Sequence, residues 1–152
     1  MNSTIEIYDD HIIKLCRYSC CINHKARFTE ELSNTKKVQE LGISPKLLGF
    51  KIINRELIFQ KINGRSLEDI AIKLKRNRDL NANEFYDRYI IPCISLFEKL
   101  LTKIDTWDPN LGNILFDGTQ FYLIDFDARC RMTKNRILSI LRRDIESVCN
   151  SN

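Results

Sequence analysis

The stretch Thr106–Asp127, TWDPNLGNILFDGTQFYLIDFD, decides how the rest of the chain is read. At its centre lies Asp117-Gly118, a dipeptide suited to a two-residue hairpin turn that needs positive φ at both positions. Asn113-Ile114-Leu115-Phe116 runs into this turn, and Thr119 to Asp125 runs out of it. A two-residue loop pairs Phe116 with Thr119 and Asn113 with Tyr122, which carries Asp125 three residues beyond Asn113, alongside Asp108 to Gly112. Three oxygen-bearing side chains, Asp108, Asn113 and Asp125, are then expected at one end of a hairpin.

Carboxylate and amide oxygens that converge in this way suit a hard cation such as Mg²⁺, which usually shares its site with substrate phosphates. The spacing adds chemistry to the composition. Asp108 and Asn113 are five residues apart, as in the Asp-x-x-x-x-Asn catalytic loop of protein kinases, and Asp125 in Ile-Asp-Phe-Asp falls where those enzymes carry the Asp of Asp-Phe-Gly. On these residues the chain resembles the protein-kinase-like superfamily. The letters Asp108-Pro109-x-x-Gly112-Asn113 and Leu123-Ile124-Asp125-Phe126-Asp127 are most similar to its small bacterial branches, the lipopolysaccharide-core sugar kinases and the choline and aminoglycoside kinases.

A length of 152 residues suits one domain. With 43% hydrophobic and 29% charged residues, the chain has the composition of a globular protein with a packed core. No apolar run in the sequence is long enough to span a bilayer, and MNSTIEIYDD has neither the basic nor the apolar region of a secretory signal. A cytoplasmic location is the expectation, and the six cysteines then read as reduced thiols. Cys16, Cys20, Cys21 and His24 fall close together, but their Cys-x3-Cys-Cys-x2-His spacing is not a standard zinc pattern. The net charge of +4 is modest. Basic residues gather at Lys73, Lys75, Arg76 and Arg78 and again from Arg129 to Arg143, where they read as solvated helix faces or as attraction for phosphorylated substrates, acidic partners or a peripheral membrane surface. No nucleic-acid partner is expected.

Ahead of the key stretch, Thr4–Tyr8 and His11–Cys16 read as two strands joined through Asp9-Asp10. Ile12-Ile13-Lys14 resembles the end of the Val-Ala-Ile-Lys strand of kinases, whose lysine holds the α- and β-phosphates of ATP. By that resemblance Lys14 binds phosphates and Ile12, on the same strand face, roofs the adenine. Arg27–Leu41 has a helical pattern ending at Gly42, with Phe28, Leu32, Thr35 and Val38 on one side and Glu31 in the middle of it. A carboxylate within an apolar stripe requires a partner. In kinases that partner is the strand lysine, which here is Lys14.

Leu47–Ile53 and Glu56–Ile62 read as a second hairpin through Asn54-Arg55, giving a small antiparallel sheet plus one helix. Phe59 to Leu67 is similar to the segment joining the lobes of small-molecule kinases, which implies that the backbone at Gln60 to Ile62 faces the adenine edge. Ser66-Leu67-Glu68-Asp69 has the form of a helix-capping motif. Phe85–Ile104 shows helical periodicity interrupted at Pro92, and a last helix is expected over about Thr133–Val148. Within it Asp144-Ile145-Glu146-Ser147 resembles a kinase segment whose aspartate accepts hydrogen bonds from the catalytic-loop backbone.

The resemblance implies an α+β, reduced two-lobed kinase-like fold in a single domain, with an N-lobe over residues 1–62 and a truncated, mainly helical C-lobe over residues 63–152. The implied activity is ATP- and Mg²⁺-dependent transfer of the γ-phosphoryl group to a hydroxyl of a protein or of a sugar or other small alcohol. Asp108 would orient or accept the hydroxyl proton, Asn113 and Asp125 would hold Mg²⁺, Lys14 the phosphates, and Glu31 the lysine; Asp127 could assist at the metal. Departures from the pattern are plain. No Gly-x-Gly-x-x-Gly precedes Lys14, Thr106-Trp107 precedes Asp108, Asn110 follows two residues after it, and the 19 residues from Asp125 to Asp144 leave no room for a full activation loop. They leave open a chain that needs an activating protein partner, or a pseudokinase acting as a nucleotide-binding or protein-interaction module.

Overall fold

The computed structural model describes residues 4–16, 24–126 and 131–151, with the side chains of His24 and Lys25 outside that description. The fold is α+β. Four strands, β1 (Thr4–Ile7), β2 (His11–Leu15), β3 (Leu47–Lys51) and β4 (Glu56–Gln60), form an antiparallel sheet in the order β1-β2-β4-β3. Helix α1 (His24–Gln39) connects β2 to β3. The expected face of α1 is realised: Phe28, Leu32, Thr35 and Val38 are buried, Glu31 is buried among them, and Glu30 faces solvent. The helix ends two residues before Leu41, in a turn closed by Gly42 at φ +67°, a conformation glycine adopts without steric cost.

The rest of the chain is mainly helical. Strand β5 (Arg65–Ser66) leads into α2 (Leu67–Arg76), whose cap is the one its sequence predicts: Ser66 Oγ accepts from the Asp69 N–H at 3.0 Å and donates to the Asp69 carboxylate at 2.8 Å. The predicted Phe85–Ile104 helix is broken into pieces. α3 (Ala82–Phe85) passes through a π-type turn at Tyr86–Ile90 and a 3-10 turn at Ile91–Cys93, and α4 (Ile94–Leu101) completes the run. Pro92, which has no N–H and cannot take an interior helical position, sits in the tight turn. α5 (Lys134–Asn150) starts where expected, with Thr133 accepting from the Arg136 N–H.

Strands β6 (Ile114–Phe116) and β7 (Phe121–Leu123) form the hairpin of the key stretch, with β5 as a third strand. Here the register differs from expectation. Phe116 pairs with Phe121 and Ile114 with Leu123, so the loop has four residues, Asp117–Gln120, and Phe116 does not pair with Thr119. The cause is the Asp117 side chain, which accepts from the Thr119 N–H, the Thr119 hydroxyl and the Gln120 N–H at 2.7–2.9 Å and so closes a wider turn than the Asp-Gly dipeptide alone would. Gly118 takes φ +102° within it.

Two groups of buried side chains hold these parts. Cys16, Phe28, Leu32 and Leu57 fill the space between the four-stranded sheet and α1. The larger group gathers α2, α4, α5 and the β6–β7 hairpin around Phe97, Leu100, Trp107, Ile114, Leu123 and Leu141, and reaches Val38 and Ile43 at the end of α1. Among the described residues no helix is long and apolar enough to cross a membrane.

Candidate active site

Lys14 projects from β2, an interior strand, onto the face covered by α1. Its cross-strand partner Leu57 lies on the same face, as does Ile12 opposite Phe59. The ammonium is nearly enclosed and donates to two carboxylates, Glu31 Oε1 and Asp125 Oδ1, each at 2.6 Å. Burial alone would lower its pKa; the Glu31 and Asp125 charges and hydrogen bonds outweigh burial and hold it above its ordinary value. Strand, helix and hairpin thus meet at one charge.

Asp125 itself sits at φ +64°, in the left-handed region that aspartate tolerates better than most side chains. Three bonds hold the backbone around it. The Ile124 N–H donates to the Asn113 carbonyl at 3.1 Å, the Trp107 indole N–H donates to the Ile124 carbonyl at 2.9 Å, and Asn34 Nδ2 donates to the Phe126 carbonyl at 3.2 Å. The four-residue loop therefore puts Ile124 opposite Asn113, and Asp125 follows one residue beyond that pairing rather than three.

The segment Asp108–Asn113 is locked by its own amides. Asn110 caps the 3-10 turn Leu111–Asn113 by accepting from the Asn113 N–H at 3.0 Å, and its Nδ2 donates to the Asp108 carboxylate at 3.2 Å. Asn113 Nδ2 donates to the Asp108 carbonyl at 2.9 Å, which leaves its amide oxygen for a cation. Asp108 is exposed, while Trp107 and Pro109 on either side are buried and anchor the loop. The Asn113 oxygen and the second Asp125 carboxylate oxygen form a sparse donor set. Among the described residues no group of three or more His, Cys, Asp or Glu side chains is placed to hold a metal. Sparse donation of this kind fits Mg²⁺, which takes one or two carboxylates and completes its shell with water and substrate phosphates.

At the expected adenine edge, the Gln60 N–H donates to the Lys46 carbonyl at 2.8 Å and the Lys61 N–H to the Asp10 carbonyl at 3.1 Å. Ile62 is half-buried, and its N–H has no backbone acceptor among the described residues. Ile12, Lys14 and Glu31 are brought together on the inner face of the sheet, and Asp108, Asn113 and Asp125 at the hairpin end. Asp127, Cys20 and Cys21, and the side chain of His24, lie outside the described residues.

One expectation fails. Asp144 accepts no backbone hydrogen bond among the described residues; its carboxylate lies 3.9 Å from Arg143 Nη2. Burial raises its pKa, Arg143 opposes the rise, and the Asp108 and Glu68 carboxylates add to it. Within the loop the Asn113 N–H is taken by Asn110 Oδ1, so that donor needs no partner from α5. Other site residues are unannounced in the sequence. Ile5 pairs with Lys14 and Ile7 with Ile12, so two exposed isoleucines of β1 extend the inner sheet face beside the lysine. Asn34 and Trp107 hold the Asp125 backbone; Asn34 lies one turn after Glu31 on the buried side of α1, a position the same helical periodicity could have marked.

In comparisons with known proteins, no family model and no curated protein matches the chain.

Proposed function

We propose that this chain is an ATP- and Mg²⁺-dependent phosphotransferase with a reduced two-lobed kinase-like fold, moving the γ-phosphoryl group to a hydroxyl of a protein or of a sugar or other small alcohol. One observation carries the reading: a buried lysine on an interior strand bonds at once to a helix glutamate and to the aspartate that follows the β6–β7 hairpin. A kinase site needs the strand lysine paired with a helix glutamate and the metal-binding aspartate in place together. A purely structural role is a weak account of the same triad, because a well-packed apolar cluster stabilises as much without the desolvation cost.

In this reading the Asp125 carboxylate and the Asn113 amide oxygen would hold Mg²⁺, which would supply charge neutralisation for the phosphates. Lys14 turns toward the phosphates while Glu31 keeps its ammonium in place. Ile12, Ile5 and Ile7 offer an apolar ceiling for the base, and the Ile62 N–H offers a donor at its edge. Asp108, exposed and steadied by Asn110, accepts the proton of the acceptor hydroxyl as that oxygen bonds to the γ-phosphorus and ADP departs.

A second reading rests on the turn Tyr8–His11 between β1 and β2. It contains no glycine and carries Asp9 and Asp10, so it offers no phosphate-cradling backbone beside Lys14. That favours a weakly active or inactive nucleotide-binding or protein-interaction module, or one completed by a protein partner. Transfer of radiolabel from γ-labelled ATP to a panel of protein, sugar and lipid acceptors decides between the two. The enzyme reading expects transfer that is abolished in Asp108→Ala; a folded protein that transfers to none of them contradicts it.

A further inference from the structure

The β3–β4 hairpin ends in an apolar, basic tip that the nucleotide site does not use. Ile53 at its apex is 96% exposed and Ile52 is 57% exposed, with Leu48 and Phe50 of β3 also open to solvent. Two adjacent isoleucines open to solvent at one apex, with Phe50 two residues before them, exceed the scatter of single apolar residues normal on a surface and mark a contact site. The turn itself is fixed: Arg55 takes φ +55°, its N–H closes on the Ile52 carbonyl, and its carbonyl accepts from the Cys16 N–H at 3.0 Å.

The charge of the hairpin from β3 through its turn is basic. From Lys46 to Arg55, KLLGFKIINR, the hairpin carries three basic residues and no acidic one. Glu56, the first carboxylate after the turn, is buried and paired with Lys51 at 2.8 Å. Lys36 reaches across from α1 to lie 4.6 Å over the Phe50 ring, which adds a further cation beside the exposed aromatic. Lys36 and Arg55 have no carboxylate at ion-pair distance among the described residues. Apolar side chains at a rigid apex with unneutralised cations set back from it match the layering of a bilayer surface, acyl boundary below and anionic headgroups above. A protein partner would need complementary carboxylates within an apolar groove, a narrower requirement than the hairpin imposes.

We infer that the β3–β4 hairpin is a peripheral membrane-docking element: Ile52 and Ile53 enter the interfacial layer of an anionic bilayer, and Lys36 and Arg55 meet its headgroups. Such docking brings the protein to a surface without obstructing Lys14, whose face of the sheet lies beneath α1.

Sedimentation of the full chain with vesicles tests this. The chain pellets with vesicles of phosphatidylcholine containing phosphatidylserine, binding weakens as salt rises, and pure phosphatidylcholine captures little. Ile52→Ser with Ile53→Ser lowers the partition coefficient at least about tenfold, and Lys36→Gln with Arg55→Gln lowers it on anionic vesicles alone, while both variants keep the wild-type melting temperature. Equal capture on both vesicle types, or capture indifferent to the isoleucine pair, overturns the inference. So does a wild-type dimer that the isoleucine variant converts to monomer in the absence of vesicle binding, since the tip then serves self-association.

Discussion

Lys14 Nζ and Asp125 Oδ1 lie 2.6 Å apart although 111 residues separate them in the chain. The contact joins the four-stranded sheet to the hairpin end, and Glu31 on α1 closes the triad from the other side. Its three members differ in exposure, with side-chain accessibilities of 2% for Glu31, 11% for Lys14 and 38% for Asp125. Their removal therefore has unequal costs. Lys14→Met leaves two carboxylates facing each other without the cation between them and lowers unfolding free energy by about 3 kcal/mol, whereas Asp125→Ala, at the wetter end, costs about 1 kcal/mol. Urea denaturation of the two variants measures the difference.

Lys14 and Asp117 give the pH dependence one limb each that can be tested. Lys14 titrates above its ordinary 10.5 in the folded chain, so its contribution is complete below about that pH and is lost as pH rises through the raised value. Asp117 is held down to about 2 by the Gln120 N–H and by the Thr119 hydroxyl and N–H, so its contribution is complete above 3.8 and is lost as pH falls from there through about 2. Melting temperatures recorded across pH should show an acid limb that Asp117→Asn flattens and an alkaline limb that it leaves alone.

Trp107, the single tryptophan, is 1% exposed and gives its indole N–H to the Ile124 carbonyl. Native emission should be blue-shifted and move to the red in one step on unfolding. Trp107→Phe keeps an aromatic ring against Phe97 but orphans that carbonyl, at a cost of about 1–2 kcal/mol. Differential scanning calorimetry checks the value.

Asn34 acts on Asp125 through the Phe126 carbonyl and contacts neither carboxylate of the triad by any hydrogen bond shown among the described residues. Asn34→Ala is expected to lower kcat roughly tenfold through misplacement of Asp125, with KM for the acceptor little changed. A variant that loses stability with kcat intact would reduce Asn34 to a packing role.

Much of this arrangement is legible in the sequence because it is periodic. Glu31 falls in the apolar stripe of α1 at 100° per residue, Lys14 shares a strand face with Ile12 in β2, and Ser66 and Thr133 sit where caps belong. The register of the β6–β7 hairpin was not legible, because Asp117 chooses its own partners through a side chain and so overrides the dipeptide preference. β5, two residues long, offers no alternation to read. Trp107 and Asn34 act through single bonds to distant backbone carbonyls, and a lone donor carries no spacing signal for its acceptor. The place of Asp144 is not legible either, because a loop side chain, Asn110, takes the Asn113 N–H and Asp144 turns to Arg143 instead.

In the proposed function Lys14, Glu31 and Asp125, drawn from strand, helix and hairpin, form one nucleotide-phosphate site. Calorimetric titration with ATP, with and without Mg²⁺, tests it most directly. The wild-type chain should bind ATP more tightly with Mg²⁺ than without it, Asp125→Ala should abolish the difference between the two titrations, and Lys14→Met should weaken both. Absence of ATP binding to the folded wild-type chain, or binding that both variants leave unchanged, would contradict the claim.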